Sequence, residues 1–198
     1  MDVKLLHTSV YDLPSQLRVG VIAHDGAADM QLWPGRGPDG DLREAWGDRL
    51  QAGLDAELRQ VPGRELPVPG LVRVGRGRLH CDFLLWIATR PAEHGTEREP
   101  APSLEVVRES IVRALAFVAE RSVQRIAIPA LGEGPGAADR VDRLVAIIEA
   151  AHEYHERCAA EGRAPVVEEV LVCEPIGQHF RAASVRTRAL ARPTDLAA

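Results

Sequence analysis

The chain has 198 residues, of which 45% are hydrophobic, and this predicts one globular domain with a buried core and excludes a largely disordered chain. The formal net charge of −5 argues against a sequence-independent nucleic-acid surface, which needs a basic footprint. Three cysteines, none in C-x-x-C spacing, argue against a disulfide framework and a structural zinc site and fit a reducing cytoplasm, and residues 1–10 lack the long apolar run of a signal peptide or membrane span.

Hydrophobic periodicity predicts strands that alternate with helices along the chain. Strands are predicted at residues 3–7, 17–24, 71–74, 79–88, 125–131 and 166–173. Helices are predicted at residues 42–58, 104–118, 140–161 and 176–190. Connections are predicted at residues 25–34 and 62–70, and an exposed loop rich in proline and glutamate at residues 90–102. Ser103 and Asp139 are predicted N-caps, and Gly162 ends the helix that Asp139 begins.

This alternation predicts an α/β sandwich with a mostly parallel sheet. A single domain is expected over residues 1–192, followed by a loose tail at residues 193–198. In such folds the loops after the strands carry the ligand site, so the two glycine-rich loops of this chain are the first candidates.

The first glycine-rich loop is GRGPDG at residues 35–40, directly before a predicted helix. The glycines allow a close backbone approach to a ligand, and the helix N-terminus suits a phosphate. Three roles are open for Asp39 inside the loop: it accepts a hydrogen bond from a sugar hydroxyl, caps the helix N-terminus, or is a catalytic group. Asp41 is the alternative candidate for the cap. The spelling G-x-G-x-x-G also fits a Rossmann fingerprint, but that fingerprint directly follows a strand, and here the nearest predicted strand ends about ten residues earlier. The candidate ligand-binding residues here are Gly35, Arg36, Gly37, Pro38 and Gly40.

The second glycine-rich loop directly follows the strand predicted at residues 125–131. It is either an ordinary strand-to-helix turn or a second phosphate contact. Two such loops favour a ligand with two phosphates, or with a phosphate and a ribose. The candidate ligand-binding residues here are Gly132, Glu133, Gly134, Pro135 and Gly136.

Four segments in this order resemble the macrodomain family, the ADP-ribose-binding α/β/α fold. GRGPDGDL at residues 35–42, with Gly47, resembles the family's GGGVDGAI loop and helix. Residues 79–91 resemble its LPAKYVIHTVGP strand, SVQRIAIPALGEGPG at residues 122–136 resembles SIAFPAIGTGxxG, and VEEVLVC at residues 167–173 fits the final strand. The resemblance implies a three-layer α/β/α sandwich with a mixed, mostly parallel sheet. It also implies ADP-ribose or a related nucleotide as ligand, with ADP-ribosylated protein as a further partner.

The chain departs from the family at the ribose and adenine contacts. HDGAAD at residues 24–29 stands where the family has NAAN. Aligning the alanine pair puts Asp29 on the last asparagine, whereas counting from the strand puts His24 on the first, and both alignments stay open. His24 is alternatively a buried histidine that the backbone satisfies. The family's adenine-recognising aspartate is also missing, and Ser9 or Asp12 is the nearest candidate.

The resemblance implies that backbone N–H groups of the two loops hold a diphosphate, with no metal or other cofactor required. In hydrolase-type members the aspartate that matches Asp39 activates or orients a water, so we expect Asp39 to be catalytic if this chain hydrolyses an ADP-ribosyl bond. Loss of the asparagines favours a non-catalytic reader or sensor instead. A degenerate macrodomain that serves as an interaction scaffold is a third alternative.

Overall fold

A computed structural model describes residues 1–32, 38–47, 49–92 and 100–195. The strands are β1 (Asp2–His7), β2 (Val21–Ala27), β3 (Gly70–Val74), β4 (Phe83–Arg90), β5 (Arg125–Pro129), β6 (Glu169–Cys173) and β7 (Arg192–Asp195). The helices are α1 (Pro38–Trp46), α2 (Leu50–Leu58), α3 (Leu104–Ala119), α4 (Arg140–Ala160) and α5 (Gly177–Arg186). Short 3-10 turns lie at Ser15–Leu17 and Pro62–Arg64. None of these helices is long and apolar enough to cross a bilayer.

The strands form a single mixed sheet in the order β3-β4-β2-β5-β6-β1-β7. β3 is antiparallel to β4, and the other neighbouring pairs are parallel. The predicted α/β architecture with a mostly parallel sheet is therefore confirmed.

Two apolar clusters, one on each face of the sheet, make the fold three layers deep. Successive residues of a strand point to opposite faces, so Leu84 and Trp86 of β4 enter one cluster and Leu85 and Ile87 enter the other. The first cluster packs against α1 and α2, and the second packs against α3, α4 and α5. The predicted three-layer sandwich follows from this two-residue alternation.

Local capping signals are confirmed where the sequence placed them. The Ser103 hydroxyl accepts a hydrogen bond from Val106 N–H at 3.3 Å, and the Asp139 carboxylate accepts one from Val141 N–H at 2.8 Å. Gly162 follows α4 with a positive φ of 68°, which glycine adopts without strain.

The predicted helix over residues 42–58 is in fact two helices. Gly47 has a φ of 114°, a left-handed conformation that ends α1 one residue earlier. α2 then begins at Leu50, and its apolar residues continue the same buried stripe. A three-to-four periodicity does not reveal such a break, because both helices face the same cluster.

Other element boundaries also differ from the sequence prediction. β2 begins at Val21 and continues to Ala27, because its pairing with β4 outlasts its apolar run. β4 begins at Phe83, and α5 ends at Arg186. The structure pairs residues 192–195 with β1, where the sequence predicted a loose tail from residue 193.

The chain changes direction in the sheet between β2 and β5, which are neighbours. After β2 it passes through α1 and α2 to β3 and β4 on one side, and after β5 it passes through α4 to β6 on the other. Connections that leave two adjacent parallel strands in opposite directions open a crevice at their carboxyl ends. In the sequence, the glycine-rich segment at residues 35–40 comes after β2, and the segment at residues 132–136 comes after β5.

Gly26 in β2 is required by packing. A Cβ on Gly26 would lie 2.0 Å from Cζ2 of the buried Trp86. We therefore expect Gly26→Ala to lower the free energy of unfolding by about 3 kcal/mol in a urea titration. Gly75→Ala is the control, because a Cβ there meets no atom within 4 Å, and equal losses for both variants would contradict this packing constraint.

Candidate functional site

The site expected from this topology is bounded by the start of α1, which follows β2, and by the loop at residues 132–136, which follows β5. Of the first predicted loop, Gly35, Arg36 and Gly37 lie outside the described residues, whereas Pro38 and Gly40 form the first turn of α1. Asp39 and Asp41 also lie in this turn. The position directly before the helix, where an N-cap would stand, is outside the described part of the chain.

Asp39 points inward from α1 to the middle of β2. Its carboxylate Oδ1 lies 3.1 Å from His24 Nε2, and both side chains are buried. His24 Nδ1 lies 2.6 Å from the hydroxyl of Tyr11 in the loop after β1. Elements from three parts of the sequence therefore meet in one hydrogen-bonded chain.

Burial and nearby carboxylates hold the proton on Tyr11. Burial is the main cause of a raised pKa for its hydroxyl, and the negative charges of Asp39, Asp41, Asp25 and Glu133 raise that pKa further. The Tyr11 hydroxyl is therefore a hydrogen-bond donor at neutral pH.

Asp25, the residue after His24, joins the ends of β2, β4 and β5. Its Oδ2 accepts hydrogen bonds from the backbone N–H groups of Gly132 at 2.9 Å and Glu133 at 3.1 Å. Its Oδ1 accepts a hydrogen bond from the Thr89 hydroxyl, and Arg90 Nη1 lies 3.7 Å from Oδ2. Arg90 Nη1 also donates to the Glu133 carbonyl oxygen at 2.5 Å, which ties the second loop to β4.

Packing requires two glycines of the second loop. Gly132 has a φ of 82°, and a Cβ there would lie 2.9 Å from Val107. Gly134 has a φ of 154° and lies against the backbone of Ala101, whose N–H donates to the Pro135 carbonyl. Gly136 has a φ of 71°, and a Cβ there would meet no atom within 4 Å.

Glu133 belongs to a charged group at the start of α4. Arg140 pairs with Glu133 and, through Nε at 2.6 Å, with the buried Glu174. Arg143 Nη1 donates to the Leu131 carbonyl at 2.9 Å, and burial lowers the pKa of its guanidinium. The negative charge of Glu133, a candidate ligand-binding residue, is therefore compensated by arginine.

Asp29 and Ser9 make local contacts in the structure. The Asp29 carboxylate accepts from Gln31 N–H at 3.2 Å, and the Ser9 hydroxyl accepts from Tyr11 N–H at 3.3 Å. Ser9 and Asp12 both line a cleft of about 420 Å³ beside α1. The structure thus brings His24 together with Asp39. The predicted roles of His24, Asp29 and Ser9 as ligand contacts stay predictions.

The sequence analysis named neither Tyr11 nor Asp25 as a site residue. A carboxylate directly after a buried apolar run was the available signal for Asp25, because the ends of neighbouring strands meet at one edge. Tyr11 carried no such signal, since only the fold brings the loop after β1 next to β2. Among the described residues, no group of three or more His, Cys, Asp or Glu side chains is placed to hold a metal ion.

Solved structures match this chain along nearly its whole length, whereas no protein-family model and no curated protein matches it. A mutant of the Oceanobacillus iheyensis macrodomain with ADPR has 16% identity and a TM-score of 0.73, over 95% of this chain and 92% of that one. The same macrodomain with ADP has 15% identity and a TM-score of 0.72, over 94% and 90%. The Trypanosoma brucei macrodomain in complex with ADP-ribose has 10% identity and a TM-score of 0.69, over 93% and 68%. The chain therefore has the macrodomain fold, as its sequence predicted.

Asp25 should be the most costly carboxylate to remove from the crevice. Asp25→Ala leaves the backbone N–H groups of Gly132 and Glu133 and the Thr89 hydroxyl without their acceptor, and we expect a loss of about 3–5 kcal/mol in the free energy of unfolding. Asp12→Ala, at an exposed position, should change that free energy by less than about 0.5 kcal/mol. Chemical denaturation of both variants measures the difference, and a small loss for Asp25→Ala would contradict the role assigned to this carboxylate.

Proposed function

We propose that this protein binds ADP-ribose or a related ADP-ribosyl nucleotide in the crevice between α1 and the loop at residues 132–136. The observation that carries the proposal is the topology, in which α1 and the loop at residues 132–136 follow β2 and β5, the adjacent strands between which the chain changes direction in the sheet. Ligands of open α/β sheets bind at such points. Macrodomains that share this fold have been solved with ADPR, ADP and ADP-ribose, which supports the choice of ligand.

Two positively charged features next to these carboxylates favour an anionic ligand. The first turn of α1 carries backbone N–H groups without partners in the helix and the partial positive charge of a helix N-terminus. Arg140 lies on the other side, at the start of α4, and is partly exposed. An arginine can hold a phosphate through paired N–H groups, so it is suited to the diphosphate of the proposed ligand.

Charge at Pro135 tests the position of the diphosphate. Pro135 is exposed in the second loop, so substitution there should leave the fold intact. We expect Pro135→Glu to weaken ADP-ribose binding about tenfold relative to Pro135→Gln, because only the first places a negative charge near the phosphates. Calorimetric titration measures both, with AMP and NAD as further ligands.

Equal affinities of the two Pro135 variants would place the diphosphate away from this loop. Absence of binding and of a thermal shift with all three nucleotides in the unmodified protein would sink the ADP-ribose proposal. That result would favour the interaction scaffold instead.

Hydrolysis of an ADP-ribosyl bond is a second candidate, which the buried carboxylate of Asp39 favours. In this reaction the oxygen of a water attacks the anomeric carbon of the ribose and Asp39 accepts the water proton, while the bond to the leaving group breaks and its electron pair departs with that group. A non-catalytic reader would instead bind the ligand tightly without turnover.

Asp39→Asn separates the enzyme from the reader. The amide oxygen can still accept the hydrogen bond from His24, but the amide cannot take a proton from water. For an enzyme we expect binding of ADP-ribose to change less than about threefold and turnover of ADP-ribosylated protein to fall at least about 100-fold. Asp41→Asn is the control and should retain turnover, because Asp41 lies two residues further along α1 and is exposed. Tight binding by a wild-type protein that releases no ADP-ribose would identify a reader.

A further inference from the structure

The hydrogen-bonded chain Tyr11–His24–Asp39 has a defined direction of hydrogen bonding. Neutral histidine has one donor nitrogen and one acceptor nitrogen, and an ionised carboxylate only accepts. His24 Nε2 faces the Asp39 carboxylate at 3.1 Å, so Nε2 carries the hydrogen and donates. His24 Nδ1 is then the acceptor, and the Tyr11 hydroxyl at 2.6 Å is its donor.

The charged form of His24 would leave this chain unsatisfied. With hydrogens on both nitrogens, His24 would require the Tyr11 oxygen to accept, and the tyrosine hydrogen would need another acceptor. Among the described residues the Tyr11 hydroxyl has no other hydrogen-bond partner. Neutral His24 with hydrogen on Nε2 therefore satisfies Tyr11 and Asp39 together without a further partner.

The imidazole is also held in place by packing. His24 is 0% exposed, and its ring centre lies 4.9 Å from that of Trp86 at an interplanar angle of 44°. Trp86 Nε1 in turn donates to the Ala27 carbonyl at 3.1 Å. The absent side chain at Gly26 makes room for the Trp86 ring. Rotation of the His24 ring would therefore have to displace a fully buried tryptophan.

We propose that Tyr11 and His24 are positioning residues for Asp39: Tyr11 donates to His24 Nδ1 and so supports the tautomer that Asp39 requires, and His24 fixes the orientation of the Asp39 carboxylate. The inference rests on the proposed function for its catalytic consequence, but the tautomer itself is independent of any ligand. In the hydrolytic step the water proton ends on Asp39, while His24 and Tyr11 keep their own protons. The two residues thus hold the acceptor in place and transfer nothing.

The first test reads the ring nitrogens of His24 in the ligand-free protein. We expect ¹⁵N NMR to show a protonated Nε2 and an unprotonated Nδ1 for His24, and a mixture of tautomers for the exposed His80 as internal reference. Tyr11→Phe should shift the Nδ1 signal, because Nδ1 loses its donor, while Asp39 keeps the hydrogen on Nε2. Hydrogen on Nδ1 of wild-type His24 would overturn the proposal, and so would a Tyr11→Phe spectrum identical to wild type.

The second test measures turnover of ADP-ribosylated protein. Leucine at position 24 has no N–H donor, whereas the glutamine amide can still donate to Asp39. We expect His24→Leu to lower kcat about 10- to 100-fold, and His24→Gln to restore most of that loss, with KM changed less than about threefold. Equal losses in two folded variants would show that the donor has no role and would overturn the positioning claim. If wild type shows no turnover, hydrolysis fails, while the NMR result still decides the tautomer.

Discussion

The crevice depends on one buried carboxylate, that of Asp25. An ionised group in an apolar interior is stable only when its oxygens are paired, and Asp25 meets this condition with donors from β4 and from the loop after β5. Because the donors from the loop are backbone N–H groups, the carboxylate fixes the path of the loop as well as its own position. The relative placement of three strand ends therefore follows from satisfying a single charge.

This arrangement makes the two glycine-rich segments unequal. The N–H groups of Gly132 and Glu133 point at Asp25, so the protein itself supplies the anion that these donors bind. The glycine at 132 serves close packing against Val107 and Pro102. A glycine pattern thus indicates an unusual backbone conformation or a backbone that another group approaches closely. That group is either a ligand or another part of the chain. The proposed diphosphate has to rely on donors other than these two.

Local patterns predicted what depends on local physics. The caps at Ser103 and Asp139 and the alternation of β4 were readable, because each requires only neighbouring residues. The extension of β2 through Asp25 was not, since backbone pairing with β4 continues where apolarity stops. β7 is polar and proline-containing, so only its pairing with β1 reveals it. The sequence left His24 and Asp29 as alternatives. The fold brings His24 to Asp39 because the His24 side chain points to the face of the sheet that α1 covers.

The distribution of charge decides how an anion can enter this crevice. Asp25, Asp39 and Glu133 are all negative, and an added diphosphate costs Coulomb energy unless a positive partner becomes available. The Asp25 pairings are buried, whereas Glu133 and Arg140 are 22% and 20% exposed. Solvent weakens the second pair, so its arginine changes partner at lower cost. For the proposed ligand, we therefore expect binding at the second loop to exchange one anion for another on Arg140, with Glu133 released toward solvent and the buried carboxylates left in place.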